Sequence, residues 1–288
     1  MTKKIYDQLK PLVNQNDLFD IQDNGIVIFG GNGKMGQQFA ITLAASGANV
    51  IIADLAFDDS FFSLCSSDIQ KKIHFFECDV SNETEISMVI EKTTSEFGGI
   101  DSLIYNVMAK PKGYYKKLDS YSLECWNKVM DANLSGAFLA VKELLNQISS
   151  LENKEKGTSI ILTSSTYGVS GPDQRIYDGC NMESNIYTQD DPLCTPLSYS
   201  ASKSALIGMV KYLASSLGKH NVRVNALVPG GIFDGQDESF HQAYVDRVPL
   251  ERMATMSDYN GAILFLCSQA SRYMTGANLV IDGGWTCR

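Results

Sequence analysis

Tyr199 and Lys203 stand four residues apart in Tyr199-Ser200-Ala201-Ser202-Lys203. At a helix start that spacing puts both on one face, where an ammonium can act on a phenol. A free phenol titrates near pH ~10. A cation about 4 Å away at an effective dielectric near 20 favours the phenolate by roughly 4 kcal/mol, and desolvation opposes this gain. The surplus brings the phenol within roughly two to three units of neutrality, where general acid–base catalysis becomes useful. Two such common residues also fall four apart on ordinary solvated helix faces, so the reading depends on what else the chain carries.

A second constellation lies near the start. Ile26-Val27-Ile28-Phe29 is a short continuous apolar run of the kind a buried parallel strand shows. It leads into Gly31-Asn32-Gly33-Lys34-Met35-Gly36, a G-x-G-x-x-G ahead of an amphipathic stretch over 35–45. Glycines there permit a tight turn and the close approach of a pyrophosphate to a helix N-terminus. Asn49-Val50-Ile51-Ile52-Ala53 is a second buried strand ending in Asp54, about 20 residues past the glycines, where a carboxylate accepts from the adenosine ribose hydroxyls and repels a 2′-phosphate. The pattern points to NAD in preference to NADP. Lys34 is a complication, because a cation in the loop can contact phosphate.

The elements that must position these residues alternate. Strands are expected at 73–77, 102–105, 159–163, 223–228 and 278–281, with helices from a Ser81 cap to 97, over 122–147 and over 198–217. Strands separated by helices of this length predict a single α/β domain with a doubly wound parallel sheet of about seven strands. Residues 1–24 read as an extension packed on a domain spanning 25–288. No repeat or linker divides off a second domain.

Composition narrows the function classes. The 288 residues are 44% hydrophobic and carry a formal charge of −9, which disfavours nucleic acid as a partner. No apolar run approaches the ~18 residues that span a bilayer, and Met1-Thr2-Lys3-Lys4-Ile5-Tyr6-Asp7 lacks the apolar stretch of a signal peptide. A cytoplasmic protein is expected. Seven cysteines without Cys-x-x-Cys spacing predict free thiols in a reduced compartment. His74, His220 and His241 are scattered without ligand spacing, so no metal site is expected.

Taken in order, these motifs resemble the short-chain dehydrogenase/reductase family over roughly residues 25–288. The glycine loop is followed by Asp79-Val80, then Asn133 in Asp131-Ala132-Asn133-Leu134, Ser165 in Ser164-Ser165-Thr166-Tyr167-Gly168, Tyr199 and Lys203, Asn225-Ala226-Leu227-Val228-Pro229-Gly230, and the closing Thr275-Gly276 and Asp282-Gly283-Gly284. The resemblance implies a Rossmann fold and hydride transfer between nicotinamide and a secondary alcohol or ketone. It implies catalytic roles for four residues: Tyr199 exchanging the proton, Lys203 holding the ribose, Ser165 orienting the substrate oxygen and Asn133 holding a relay water. It further implies a cofactor site of Gly30, Asn32, Gly33, Lys34, Met35, Gly36, Asp54, Asp79, Val80, Asn106, Tyr199, Lys203, Pro229, Gly230 and Ile232. A homo-oligomer, tetramer or dimer, is also implied, with Ala137, Ala140, Ala201, Ala205 and Gly208 small enough for helix packing between copies, although such residues also suit helix-on-sheet contacts.

The chain departs from the family pattern at several positions. Phe29 stands for a usual threonine, Lys34 for the middle glycine, Tyr105-Asn106-Val107-Met108 for N-N-A-G, and Asp234 for a threonine that often meets the carboxamide. The 166–198 segment is longer than in compact members and resembles the extended, nucleotide-sugar branch. The combination resembles members of bacterial surface-sugar and flagellin-glycan synthesis. Its basic neighbour Lys110-Pro111-Lys112-Gly113-Tyr114-Tyr115-Lys116-Lys117 suggests a polar, sugar-like or anionic substrate. Transient oxidation in a sugar epimerase or dehydratase, and a cofactor-binding protein without turnover, stay open as alternatives at this point.

Overall fold

Five of the seven strands are largely buried because helices on both faces take them out of water, while the edge strands over 73–77 and 278–281 stay partly exposed. The computed structural model describes residues 18–60, 62–148, 157–180 and 191–287. Residues 1–17 of the expected extension, and residues 181–190 of the insert with their acid Asp190, lie outside the described residues. The strands are β1 (Gly25–Phe29), β2 (Asn49–Asp54), β3 (Ile73–Glu77), β4 (Ser102–Tyr105), β5 (Thr158–Thr163), β6 (Val222–Pro229) and β7 (Asn278–Ile281). They form one parallel sheet in the order β3-β2-β1-β4-β5-β6-β7. Every residue of β1, β4 and β5 is buried, as strands covered on both faces must be.

Two hydrophobic cores sandwich the sheet. One face packs Val27, Ile51, Leu103 and Ile160 against α2 (Glu83–Phe97), α4 (Gly136–Ile148) and α5 (Leu197–Leu217). The other packs Ile26, Ile28, Ile52 and Ile161 against α1 (Lys34–Ala45) and α7 (Asn260–Cys267), with Ile21 of the N-terminal segment buried there as well. Each such aliphatic side chain contributes roughly 1.5–3 kcal/mol when fully removed from water. No helix among the described residues is long and apolar enough to cross a membrane.

Three expectations change. The cap of α2 is Asn82, whose side chain accepts from Thr84 N at 3.0 Å, because Ser81 turns its hydroxyl to Asp79 at 2.7 Å. The long helix expected over 122–147 is interrupted: α3 (Leu123–Met130) passes through a π-turn, Asp131–Ser135, into α4. The cause is Tyr105 at the end of β4, whose hydroxyl donates to the Ala132 carbonyl. A Cβ at Gly136 would lie 2.2 Å from that hydroxyl, so only glycine leaves it room. Finally, α6 (Glu238–Val245) and α7 are helices that the sequence pattern did not resolve, each only eight residues long.

The strand order places the topological switch between β1 and β4, where open α/β sheets bind ligands at the strands' carboxyl ends. A cleft of about 770 Å³ opens there. Its lining comes from the segments that follow β1 through β6, so the sheet positions every part of the site.

Candidate active site

The glycine loop is shaped by close contacts on three sides. Gly30 has φ +73, and a Cβ on it would meet the Asn106 backbone at 2.8 Å. A Cβ on Gly36 would lie 2.4 Å from Gly30 O, and one on Gly31 would lie 2.6 Å from Ile52. Gly33 is different, since its Cβ would meet nothing closer than 3.6 Å and it borders the cleft. That open side is where a phosphate group can approach the backbone, and Gly33 caps α1 without any side chain competing for the first N–H groups.

Asn32 and Asp54 staple this loop. Asp54 Oδ2 accepts from Asn32 N at 2.9 Å while Oδ1 accepts from Leu55 N at 2.9 Å, and Asn32 Nδ2 donates to Ala56 O at 2.9 Å. Asp54 is thereby held at the β2 terminus, in the cleft wall. Asp79, Val80, Asn106, Met35, Pro229, Gly230 and Ile232 also line the cleft. Asn106 Nδ2 reaches Gly30 O at 3.4 Å, and Gly230 N donates to Ile281 O at 2.9 Å. Of the expected cofactor residues only Gly36 is absent from the lining, because its task is the close packing of loop on helix. These groups suit a dinucleotide: free helix N–H groups for the pyrophosphate, a fixed carboxylate for a ribose and an apolar floor.

Of the four expected catalytic residues Ser165, Tyr199 and Lys203 line the cleft, and Asn133 does not. Asn133 is fully buried in the π-turn; its Oδ1 accepts from Ala109 N at 2.9 Å and its Nδ2 donates to Ser202 Oγ at 3.1 Å. It therefore joins the loop after β4 to the helix carrying Tyr199. Such π-bulges recur at functional sites. Ser165 lies two residues past the end of β5 and caps a single helical turn, accepting from Tyr167 N at 3.1 Å. Gly168 lets that turn press on α5, since a Cβ there would lie 2.4 Å from Ser164 Oγ and 2.9 Å from the Lys203 carbonyl.

The electrostatics differ from the expectation drawn from spacing. Lys203 Nζ lies 6.0 Å from the centre of the Tyr199 ring and donates to Thr163 O at 2.8 Å and Val107 O at 3.3 Å. Burial pushes its ammonium down to about 8. Burial also raises the Tyr199 phenol above its ordinary value, and a hydrogen bond with Ser165 pulls it partly back. Desolvation outweighs the lysine's pull because backbone carbonyls, not the phenol, hold the ammonium.

The departures from the family pattern resolve into two pairs. Phe29 and Tyr105 are register partners on β1 and β4, with ring centroids 6.1 Å apart in the buried core beneath the cleft. Lys34 and Asp234 form an ion pair between the glycine loop and the segment after β6. Asp234 is thus turned toward Lys34, away from the carboxamide role its position suggests.

The basic loop behaves differently from its expected role. Of its lysines only Lys110 lines the cleft, while Lys116 pairs with Asp191 at 2.5 Å and clamps the loop to the insert. Tyr114 is buried against Cys125, Val129 and Tyr199. Ala137 and Ala140 take the second of their two expected roles: they are fully buried in the chain's own core and pack on the sheet.

Sequence reasoning missed an aromatic wall. Tyr177 stacks on Phe240 at 5.4 Å, Phe240 meets Tyr244 at 6.0 Å, Tyr244 stacks on Trp285 at 4.4 Å, and Trp285 meets Tyr167 edge-on at 6.1 Å. Asp173, bonded to Arg175 and to Arg247 Nε at 2.9 Å, ties the insert to the end of α6. Apart from Phe240 and Tyr244, four apart on α6, no short spacing links these rings, so no local signal reveals the wall as a whole.

Comparison with known proteins agrees with this arrangement. The family model described as short chain dehydrogenase matches residues 24–178, and one described as Enoyl-(Acyl carrier protein) reductase matches residues 191–286. The chain is 29% identical to 2,5-dichloro-2,5-cyclohexadiene-1,4-diol dehydrogenase of Sphingobium indicum, over 93% of this chain and 98% of that protein. It is 26% identical to 2-dehydro-3-deoxy-D-gluconate 5-dehydrogenase of Dickeya dadantii, over 94% and 98%. Among solved structures, a short chain dehydrogenase from Leptospira borgpetersenii with bound NAD+ superposes with TM-score 0.79 at 30% identity, covering 95% of this chain and 96% of that one.

Proposed function

The chain belongs to the short-chain dehydrogenase/reductase family and is an NAD(P)-dependent oxidoreductase of CH–OH groups; from that premise we propose that it prefers NAD and acts on a secondary alcohol or ketone of a polar, hydroxylated molecule. The observation that supports the reading is that Ser165, Tyr199 and Lys203 line one cleft with the glycine loop, with Asn133 bonded to Ser202, the neighbour of Lys203. When bound, the nicotinamide accepts or supplies the hydride.

The chain's own residues do the rest. Ser165 holds the reacting oxygen, and Tyr199 takes the carbinol proton in oxidation or returns it in reduction. Lys203, kept in place by the Thr163 and Val107 carbonyls, supplies a positive charge near the phenol and would hold the cofactor's ribose. Asn133 fixes the π-turn and the loop after β4, which sets where the proton path leaves the site. The hydroxylated relatives, a cyclic diol dehydrogenase and a sugar-acid dehydrogenase, support the polar substrate class.

NAD preference rests on Asp54. Both of its oxygens are held by backbone N–H groups, so the carboxylate cannot swing aside for a 2′-phosphate. Dissociation constants for NADH and NADPH test this. NADH is expected to bind at least about tenfold more tightly, a difference of ~1.4 kcal/mol, and Asp54→Ala is expected to shrink that ratio. Tighter NADPH binding by the unaltered protein overturns the preference.

A further inference from the structure

The cation of the glycine loop already has an anion on it. Lys34 is the first residue of α1, and Asp234 follows β6; both line the cleft, and their ion pair bridges two parts of its lining. The first turn of α1 carries no acid of its own, so this carboxylate is brought to the helix start from 200 positions along the chain. Lys110 lines the cleft as well. Burial lowers its ammonium, while Asp234 pulls it up and Lys34 pushes it down, so the three charges act on one another.

The pair is built to be exchanged. At the side chain Lys34 is 65% exposed and Asp234 26%, and a pair so open to water is held weakly. The backbone around Asp234 is fixed without it: Phe233 N donates to Ala254 O at 2.8 Å, Gln236 Nε2 to Ile232 O at 2.8 Å and Asp234 N to Gln236 Oε1 at 2.7 Å. Only the carboxylate has to move when Lys34 takes another partner. A diphosphate at the start of α1 is that partner, since an ammonium binds phosphate as a point charge and a diphosphate carries more negative charge than one carboxylate. An Asp234 that kept its place would repel it.

We propose that Lys34 is a pyrophosphate ligand whose counter-ion, Asp234, is displaced by the dinucleotide, so that Asp234 sets the chain's affinity for NAD(H) by competition. This rests on the dinucleotide-binding reading above and adds to it an internal competitor for one of the cofactor's contacts.

Binding of three ligands to wild type, Lys34→Met and Asp234→Asn tests the proposal: NADH, ADP-ribose, which keeps the diphosphate, and adenosine, which lacks it. Asp234→Asn is expected to bind NADH and ADP-ribose about three- to fivefold more tightly and Lys34→Met to bind them about three- to fivefold more weakly, the range that a solvent-exposed charge contact supplies. Adenosine binding is expected to be unchanged in both. Raising the ionic strength is expected to weaken NADH binding more steeply in Asp234→Asn than in wild type, because in wild type salt also weakens the competitor. Weaker NADH binding by Asp234→Asn overturns the proposal and makes Asp234 a support of the bound cofactor. Unchanged NADH affinity in either variant, or a shift of equal size for adenosine, overturns it too. Each of these results leaves the dehydrogenase reading intact, since the unaltered protein still binds NADH. Failure of the unaltered protein to bind either NADH or NADPH removes that reading and this proposal with it.

Discussion

The two halves of the cleft are built in opposite ways. Beneath the glycine loop, the wall consists of backbone and short side chains that follow β1 to β4 directly, and Asn32, Asp54, Asn106 and Gly30 bond to one another within it. Across from it, rings at positions 114, 167, 177, 240 and 244 come together from three separate stretches, with Trp285 packed on Tyr167 and Tyr244, and are tied by Lys116–Asp191 and Asp173–Arg247. A dinucleotide presents the same phosphates and riboses to every enzyme that uses it, so a local backbone shape suffices. A particular substrate demands a particular surface, and side chains distant in the chain supply it.

Tyr199 stands at the seam of the halves, so Tyr199→Phe is the sharpest test of how they cooperate. Turnover is expected to fall by roughly 10²–10⁴-fold, the usual contribution of a positioned acid–base group, with NADH affinity nearly unchanged. A variant that keeps more than about a tenth of the wild-type rate breaks the assignment.

Lys203 tests whether burial governs the seam. Its folded value is lowered to about 8 from an ordinary 10.5. Between those values the unfolded chain holds a proton that the folded one has released, so this residue's contribution to stability rises with pH across that window. Below about pH 8 the buried ammonium is a standing cost. Urea midpoints of wild type and Lys203→Met, followed from pH 7 to 10.5, are expected to diverge in favour of the wild type as pH rises. A difference independent of pH shows that burial does not control this group.

The smallest effect is expected at Lys34–Asp234, the one ion pair that joins the glycine loop to the segment after β6 among the described residues. Lys34 is 65% exposed at its side chain, and such pairs are worth about 0–1 kcal/mol and weaken with salt. A double-mutant cycle on stability with Lys34→Ala and Asp234→Asn is expected to give a coupling below about 1 kcal/mol. A coupling above about 2 kcal/mol would show that the two halves are locked to each other and not merely adjacent.

What could be read without the structure was whatever depends on neighbours in the chain. Strand runs such as Ile26-Val27-Ile28-Phe29, the glycine loop, Asp54 about 20 residues later and the Tyr199–Lys203 spacing each encode backbone geometry within one or two elements. Seven strands and their parallel winding followed from them, and the family resemblance supplied Asn133 and Ser165 as expected partners of Tyr199 and Lys203. Departures from the family pattern could be seen at Phe29, Lys34, Tyr105 and Asp234 but not interpreted, because each is balanced by another residue of the same set lying 76 or 200 positions away.

Tertiary structure alone decided the rest. It broke the expected long helix at Ala132, because a tyrosine from β4 supplies a hydrogen bond there and Gly136 yields it space. It turned the Tyr199 phenol upward in pKa, because desolvation depends on everything packed around a group and not on its spacing from a lysine. It also assigned Lys116 to an acid of the insert and left the Tyr167 hydroxyl without a hydrogen bond among the described residues. Local periodicity carries the backbone path, whereas burial, charge balance and unmet hydrogen bonds exist only once distant segments touch.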